Sequence, residues 1–175
     1  MTTFLVACDG SDHAARAVLL AARHAAALGA RVLLLHVAGD RSLPEGVRQL
    51  ALAEHLVEPH AGRAMPGIAR LPSWVSEFRP VPDDPREIRD VAQAFGHQVL
   101  ERAFETAREV APAAEIELAL LEGEAAAQIL ACASESEADL LVLGRRGLGA
   151  IEEVLLGSVS TKVLHGCGKP CLIVP

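Results

Sequence analysis

The 175 residues carry a net charge of −7 at neutral pH, so the chain lacks the basic footprint that neutralises a phosphate backbone, and nucleic acid is excluded as a partner class. Its length and hydrophobic content of 51% suit one domain with a core of its own. No apolar run approaches the ~20 residues of a membrane span, which excludes a membrane partner, and Met1-Thr-Thr-Phe-Leu-Val-Ala7 meets Asp9 too soon for a secretory leader. A cytoplasmic protein is therefore expected.

Phe4 to Ala7 reads as a short buried strand. Asp9-Gly-Ser-Asp12 follows as a loop, and an alanine-rich segment to Leu28 as a helix. Val18, Leu19, Ala22, Ala25 and Ala26 recur at helical spacing, Ser11 or Asp12 can cap the start, and Gly29 supplies the left-handed stop. Arg31 to Val37 is apolar at nearly every position, as in a parallel strand covered on both faces.

Residues 40 to 85 interrupt the pattern. Ser42-Leu-Pro-Glu45 has the form of a capping box, and Val47, Leu50, Ala51, Glu54 and Val57 suit a short helix. Six prolines then fall between Pro59 and Pro85. Ile68, Leu71, Trp74, Val75 and Phe78 are apolar among them, as in a loop tucked onto the domain, a lid or a partner contact.

A long helix runs from about Arg86 to Val110, with Ile88, Val91, Ala92, Phe95, Val99, Ala103 and Ala107 on one face and Glu101, Arg102, Glu105 and Arg108 on the other. Ile116 to Leu121 is a third strand, Ala125 to Ala133 a helix, Leu140 to Leu143 a fourth strand, Ser158 to His165 a last helix and Cys171 to Val174 a last strand. Strands alternating with helices indicate a doubly wound α/β domain, in which ligands bind beyond the carboxyl ends of the strands. Cys8, Cys132, Cys167 and Cys171 contain no CxxC pair, which indicates neither a disulfide framework nor a zinc site, and Cys171 reads as a core thiol.

The densest chemical signal is Asp139-Leu-Leu-Val-Leu-Gly-Arg-Arg-Gly-Leu-Gly-Ala-Ile-Glu-Glu-Val-Leu-Leu-Gly-Ser-Val-Ser160. A strand ends at Gly144, Gly147 follows, and Gly157-Ser158 opens a helix. Glycines let backbone N–H groups approach a phosphate, and a helix start adds unpaired N–H groups and the positive end of its dipole. Ser158 suits an N-cap. Read without a ligand, Gly144 is a strand-end turn and Gly157 a helix C-cap.

The spacing Gly-x2-Gly-x9-Gly-Ser resembles the nucleotide-binding signature of the universal stress protein family, in its ATP-binding branch. Val6-Ala-Cys-Asp-Gly-Ser11, Leu35-His-Val37, Glu122-Gly-Glu124 and Lys169-Pro-Cys-Leu-Ile-Val174 extend the resemblance over nearly the whole chain outside residues 40 to 85. It implies a five-stranded, mainly parallel sheet of order 3-2-1-4-5, of the adenine-nucleotide alpha-hydrolase-like kind, over residues 1–175, with an insertion at about 40–85.

The resemblance further implies that Asp9 accepts from a ribose hydroxyl or the adenine amine, and that Ala7 and Val37 offer main-chain groups to the base. Gly144, Gly147, Gly157, Ser158, Val159 and Ser160 would surround a triphosphate, with Cys8, Leu143 and Arg146 completing the lining. The ligand would be ATP, or ADP or AMP, with Mg2+ held through the phosphates. The partners implied are a second copy, joined through the C-terminal strand, and a further protein. Asp9 has an ordinary reading too, since Asp-Gly after a strand is turn chemistry, and a guanidinium in the loop could pair with Glu152 or Glu153 rather than a phosphate.

No Gly-x4-Gly-Lys-Ser/Thr loop, carboxylate pair at the strand ends or nucleophile elbow is present, so a nucleotide-dependent stress and signalling module with little or no hydrolysis is expected and no catalytic residue is named. Two alternatives differ in sequence terms. An adenylating enzyme on this fold would show Ser-Gly-Gly-x-Asp after the first strand, where Cys8-Asp-Gly-Ser11 stands. A purely structural dimer would not need the intact glycine spacing.

Overall fold

A computed structural model describes residues 1–39, 85–147 and 156–175. The nine elements in chain order are β1 (Thr3–Ala7), α1 (Asp12–Leu28), β2 (Arg31–Ala38), α2 (Pro85–Val110), β3 (Ile116–Glu122), α3 (Ala125–Glu135), β4 (Leu140–Gly144), α4 (Ser158–Gly166) and β5 (Cys171–Val174). The strands form one sheet of order β3-β2-β1-β4-β5, and every neighbouring pair is parallel. The expected order holds, and "mainly parallel" becomes wholly parallel. The expected insertion, its helix, its apolar groups and residues 148–155 with Glu152 and Glu153 lie outside the described residues.

Each β1 side chain goes to one of two cores because successive residues point to opposite faces. Phe4 and Val6 join the cluster under α1 and α2; Leu5 joins the one under α3 and α4. β2 is buried from Val32 to Ala38, as a run apolar at every position but His36 requires. Fully burying each Leu or Val here contributes about 1.5–3 kcal/mol, so the three central strands anchor both layers.

α1 begins where Ser11 Oγ accepts the Ala14 N–H at 3.2 Å and ends at Gly29, whose φ of 64° is left-handed. Its buried stripe is Ala14, Ala17, Val18, Ala21, Ala22 and Ala25. Leu19 is only half-buried and Ala26 is exposed, so the expected stripe was turned partly toward solvent. On α2 the expected face is buried at Ala92, Phe95, Val99, Ala103 and Ala107. The expectation that Ser158 caps α4 is corrected: Gly157 is the N-cap and Ser158 is the first helical residue. Gly157 therefore starts a helix rather than ending one.

Candidate functional site

The strand order reverses beside β1, whose neighbours are β2 and β4. Ala7 pairs with Leu143, so Cys8-Asp9 and Gly144 to Gly147 leave the sheet side by side at its carboxyl edge, where a doubly wound sheet opens a crevice.

The two loops are interlocked. Asp9 Oδ1 accepts the Ser11 N–H at 2.9 Å, a turn completed by Gly10 at φ 84°. Ser11 Oγ donates to the Arg146 carbonyl at 3.3 Å and so ties the first loop to the glycine loop. Asp9 Oδ2 fills the space that a side chain on Gly147 would take. At Gly144 a Cβ would fall 2.9 Å from Ala14 N and from His13 C, because the end of β4 abuts the first turn of α1. Close approach of backbone, not backbone angle, requires glycine at Gly144, whereas at Gly147 the neighbour is a side chain that can turn away.

α4 closes the other side. Gly157 N–H donates to the Arg145 carbonyl at 2.8 Å, and no side chain caps the helix. Ser160, buried, donates its hydroxyl to the Gly144 carbonyl at 2.8 Å. Arg145 N–H donates to the Val174 carbonyl at 2.6 Å, which joins the loop to β5. The glycine loop is thus held from three sides, with the α4 N-terminus beside it.

The charge around the crevice opposes that of the whole chain. Burial lowers the His13 pKa first, and the guanidinium groups of Arg16, Arg145 and Arg146 lower it further against the pull of Asp9. Three arginines therefore stand within electrostatic reach of one imidazole in a chain of net charge −7. Arg145 Nε is buried with no hydrogen-bond partner among the described residues.

The residues singled out from sequence divide by sheet face. Ala7, Val37, Leu143 and Val159 all belong to the apolar cluster under α3 and α4, so they can line one wall. Cys8 belongs to the opposite cluster. Its N–H donates to Leu35 O, its carbonyl accepts from His36 Nδ1 at 2.7 Å, and its buried thiol donates to Val6 O. Burial raises the Cys8 pKa first and Asp9 raises it further, so the thiol stays protonated. Ser158 is exposed at the mouth, Ser160 is turned inward, and Gly144, Gly147, Gly157, Asp9 and Arg146 meet at the loop junction.

Among the described residues no group of three or more His, Cys, Asp and Glu is placed to hold a metal ion, and no helix is long and apolar enough to cross a membrane. A cavity of about 160 Å³ lies between α1 and α2, lined in part by Cys8, Ser11, Val18, Val99 and Thr106. It is smaller than the roughly 300–1,000 Å³ of small-molecule pockets and lies on the other side of the sheet from the wall of Ala7, Val37 and Leu143.

Sequence reasoning missed two residues that shape the site. Ser11 was read only as a cap, although it also reaches Arg146. His36 is only 2% exposed; Nδ1 must carry the proton given to Cys8 O, and Nε2, beside Phe95 and Gly96, has no partner among the described residues. A histidine inside an otherwise apolar buried strand was the available signal.

The model of the universal stress protein family matches residues 1–175. A Thermus aquaticus relative, the universal stress protein in the QAH/OAS sulfhydrylase 3′ region, is 31% identical over 179 residues, covering 98% of this chain and 97% of the relative. A crystal structure of a universal stress protein in complex with cAMP is 26% identical with a TM-score of 0.61, covering 99% of this chain and 97% of that one. The universal stress protein from Archaeoglobus fulgidus in complex with dAMP is 21% identical with a TM-score of 0.60, covering 100% and 98%, and shows the fold.

Proposed function

Because the chain belongs to the universal stress protein family, we propose that it is an adenine-nucleotide-binding module that takes ATP with Mg2+ at the junction of Asp9, the glycine loop and α4. The observation that carries this reading is the packing of the Asp9 carboxylate into the space kept open by Gly147, next to a helix start that no side chain caps. That arrangement offers an acceptor for a ribose hydroxyl or an amine and, separately, N–H donors for phosphate. Family members bound to cAMP and dAMP support the adenine nucleotide class.

The arginines favour the more highly charged ligand, so ATP is expected to bind more tightly than AMP, with a Kd of about 1 μM, or roughly −8 kcal/mol. Mg2+ would arrive on the phosphates, as Asp9 is the one carboxylate at the junction that this reading employs. Binding in the cytoplasm by a homodimer joined through β5, with the bound state read by another protein, completes the reading. Turnover far below the ~10 s⁻¹ typical of enzymes is expected, since no general base is identified among the loop residues.

Titration calorimetry with MgATP, ADP and AMP tests the reading. Gly157→Val should abolish binding, because even the first side-chain carbon at Gly157 would sit 3.3 Å from Arg146 Cα and 3.4 Å from Arg145 O. Undiminished binding by a folded Gly157→Val chain, or sustained phosphate release near ~10 s⁻¹, would remove it.

A further inference from the structure

The cavity of about 160 Å³ between α1 and α2 is framed by two facing helical stripes. Ser11, Ala14, Ala15 and Val18 follow one another at i, i+3, i+4 and i+7 where α1 begins, and Val99, Arg102, Ala103 and Thr106 repeat that spacing on α2. Ala14 and Ala15 stand in the middle of the first stripe and Ala103 in the middle of the second, so neither helix fills the space with a large apolar side chain. Both helices are anchored in one core cluster, through Ala17, Ala21 and Ala25 on α1 and Leu100 and Ala107 on α2. That packing fixes their separation, and the hollow does not close by letting the helices approach.

Its floor offers water little to bond. Cys8, Ser11, Ala14, Val18, Val99 and Ala103 are all buried there, and the two polar atoms among their side chains are already engaged. Ser11 Oγ accepts the Ala14 N–H at 3.2 Å and donates to the Arg146 carbonyl at 3.3 Å, and the Cys8 thiol donates to Val6 O at 3.6 Å. A fixed water needs several polar partners, whereas an apolar cavity of roughly 150 Å³ stays dry and takes up benzene. The mouth differs from the floor: Asp12, Ala15 and Arg102 are exposed, and half-buried Thr106 brings a hydroxyl.

We propose that the hollow is a binding site for a neutral, single-ring molecule of the size of phenol, its ring on the apolar floor and its one polar group turned to Thr106 at the mouth. A charged ring is disfavoured, because a charge taken out of water needs a partner and the floor has none to give. A nucleotide is excluded by size, since pockets for larger ligands start at roughly 300 Å³. The site is therefore independent of the nucleotide reading, although it touches the reverse side of the loop whose Ser11 reaches Arg146.

The experiment titrates phenol into the isotope-labelled full-length chain near pH 7, where phenol is neutral, and follows the backbone amides by NMR. Shifts at Gly10, Ala15, Ala103 and Thr106 should saturate together, with one dissociation constant in the millimolar range. Ala103→Leu fills the hollow from α2 and should weaken binding by about tenfold or more. Ala15→Leu, at an exposed position of α1, blocks the mouth without overpacking the core and should do the same. Shifts that rise without saturating, saturable shifts elsewhere in the chain, or undiminished affinity in the folded Ala15→Leu chain would overturn the proposal, whether or not Ala103→Leu folds.

Discussion

Gly144 and Gly147 sit three residues apart in one loop, yet alanine at each should fail for a different reason. At Gly144 the new carbon would lie 2.9 Å from backbone atoms of His13 and Ala14 and 3.0 Å from His13 Cβ. Helix backbone cannot step aside without moving α1, so the cost is that of overpacking, about 1–3 kcal/mol. For a chain of this size each kcal/mol lowers Tm by roughly 2–4 °C. At Gly147 the obstacle is the Asp9 carboxylate, the far end of a rotatable side chain, so displacing it mainly breaks the 2.9 Å bond from Ser11 N–H. Losing a bond to a charged acceptor costs about 1.5–3 kcal/mol, and less here because the group is only partly buried. The two costs overlap, so the decisive measurement is a double-mutant cycle by urea denaturation. In an Asp9→Ala background, Gly147→Ala should become nearly neutral while Gly144→Ala keeps its full cost. Additive penalties for Asp9→Ala and Gly147→Ala would mean that the carboxylate does not occupy that space, and the proposed acceptor would lose its place.

Two other outcomes are expected. Burial lowers the His36 pKa, with Cys8 O and Asp9 opposing, so the unfolded chain binds a proton near pH 6.5 that the folded chain refuses. Stability should therefore fall as pH drops below about 6.5, by up to ~1.4 kcal/mol per pH unit until His36 protonates in the folded state. His36→Asn should remove that part of the slope between pH 7 and 5.5, and identical slopes for the two chains would refute the assignment. At the sheet edge, β5 leaves Leu172 37% exposed on a strand with one side unpaired among the described residues, so a homodimer should form by strand pairing there. Light scattering at tens of micromolar checks this: a monomer from the full chain would defeat it, whereas Leu172→Lys should weaken the dimer.

Much of the fold was legible because a buried parallel strand needs a nearly continuous apolar run, and Val32 to Val37, apolar but for His36, and Leu140 to Leu143 supplied one each. The stripe on α1 was less legible. In a helix built largely of alanine, hydrophobic contrast around the axis is weak, and Leu19 looked more core-like than Ala14 or Ala21, which the tight approach of β4 and α2 selects for size. The cap of α4 was misread for a related reason. A serine hydroxyl is the usual candidate, but the Gly157 N–H is held by Arg145 O, which sets the start of the helix one residue earlier. His36 was hidden by its neighbours, since the partner that makes it tolerable is the carbonyl of Cys8, 28 residues away.

The two sequence readings of Asp9, as turn former and as ligand acceptor, need not compete. Oδ1 is engaged by Ser11 N–H, and Oδ2 faces the loop at Gly147. A carboxylate fixed by one oxygen has its second oxygen oriented at no further entropic cost, which is what an acceptor for a neutral hydroxyl or amine requires. The same charge repels phosphate, so within the proposed function the phosphates must lie away from Asp9. The α4 N-terminus begins beside Gly147 and so close to Asp9, and it can serve the phosphates only on the side turned from that carboxylate. Beyond a Debye length of ~8 Å the chain's net charge of −7 is largely screened, so the nearby arginines, not the overall charge, govern the last approach of an anion. An acidic protein can thus present a locally cationic crevice.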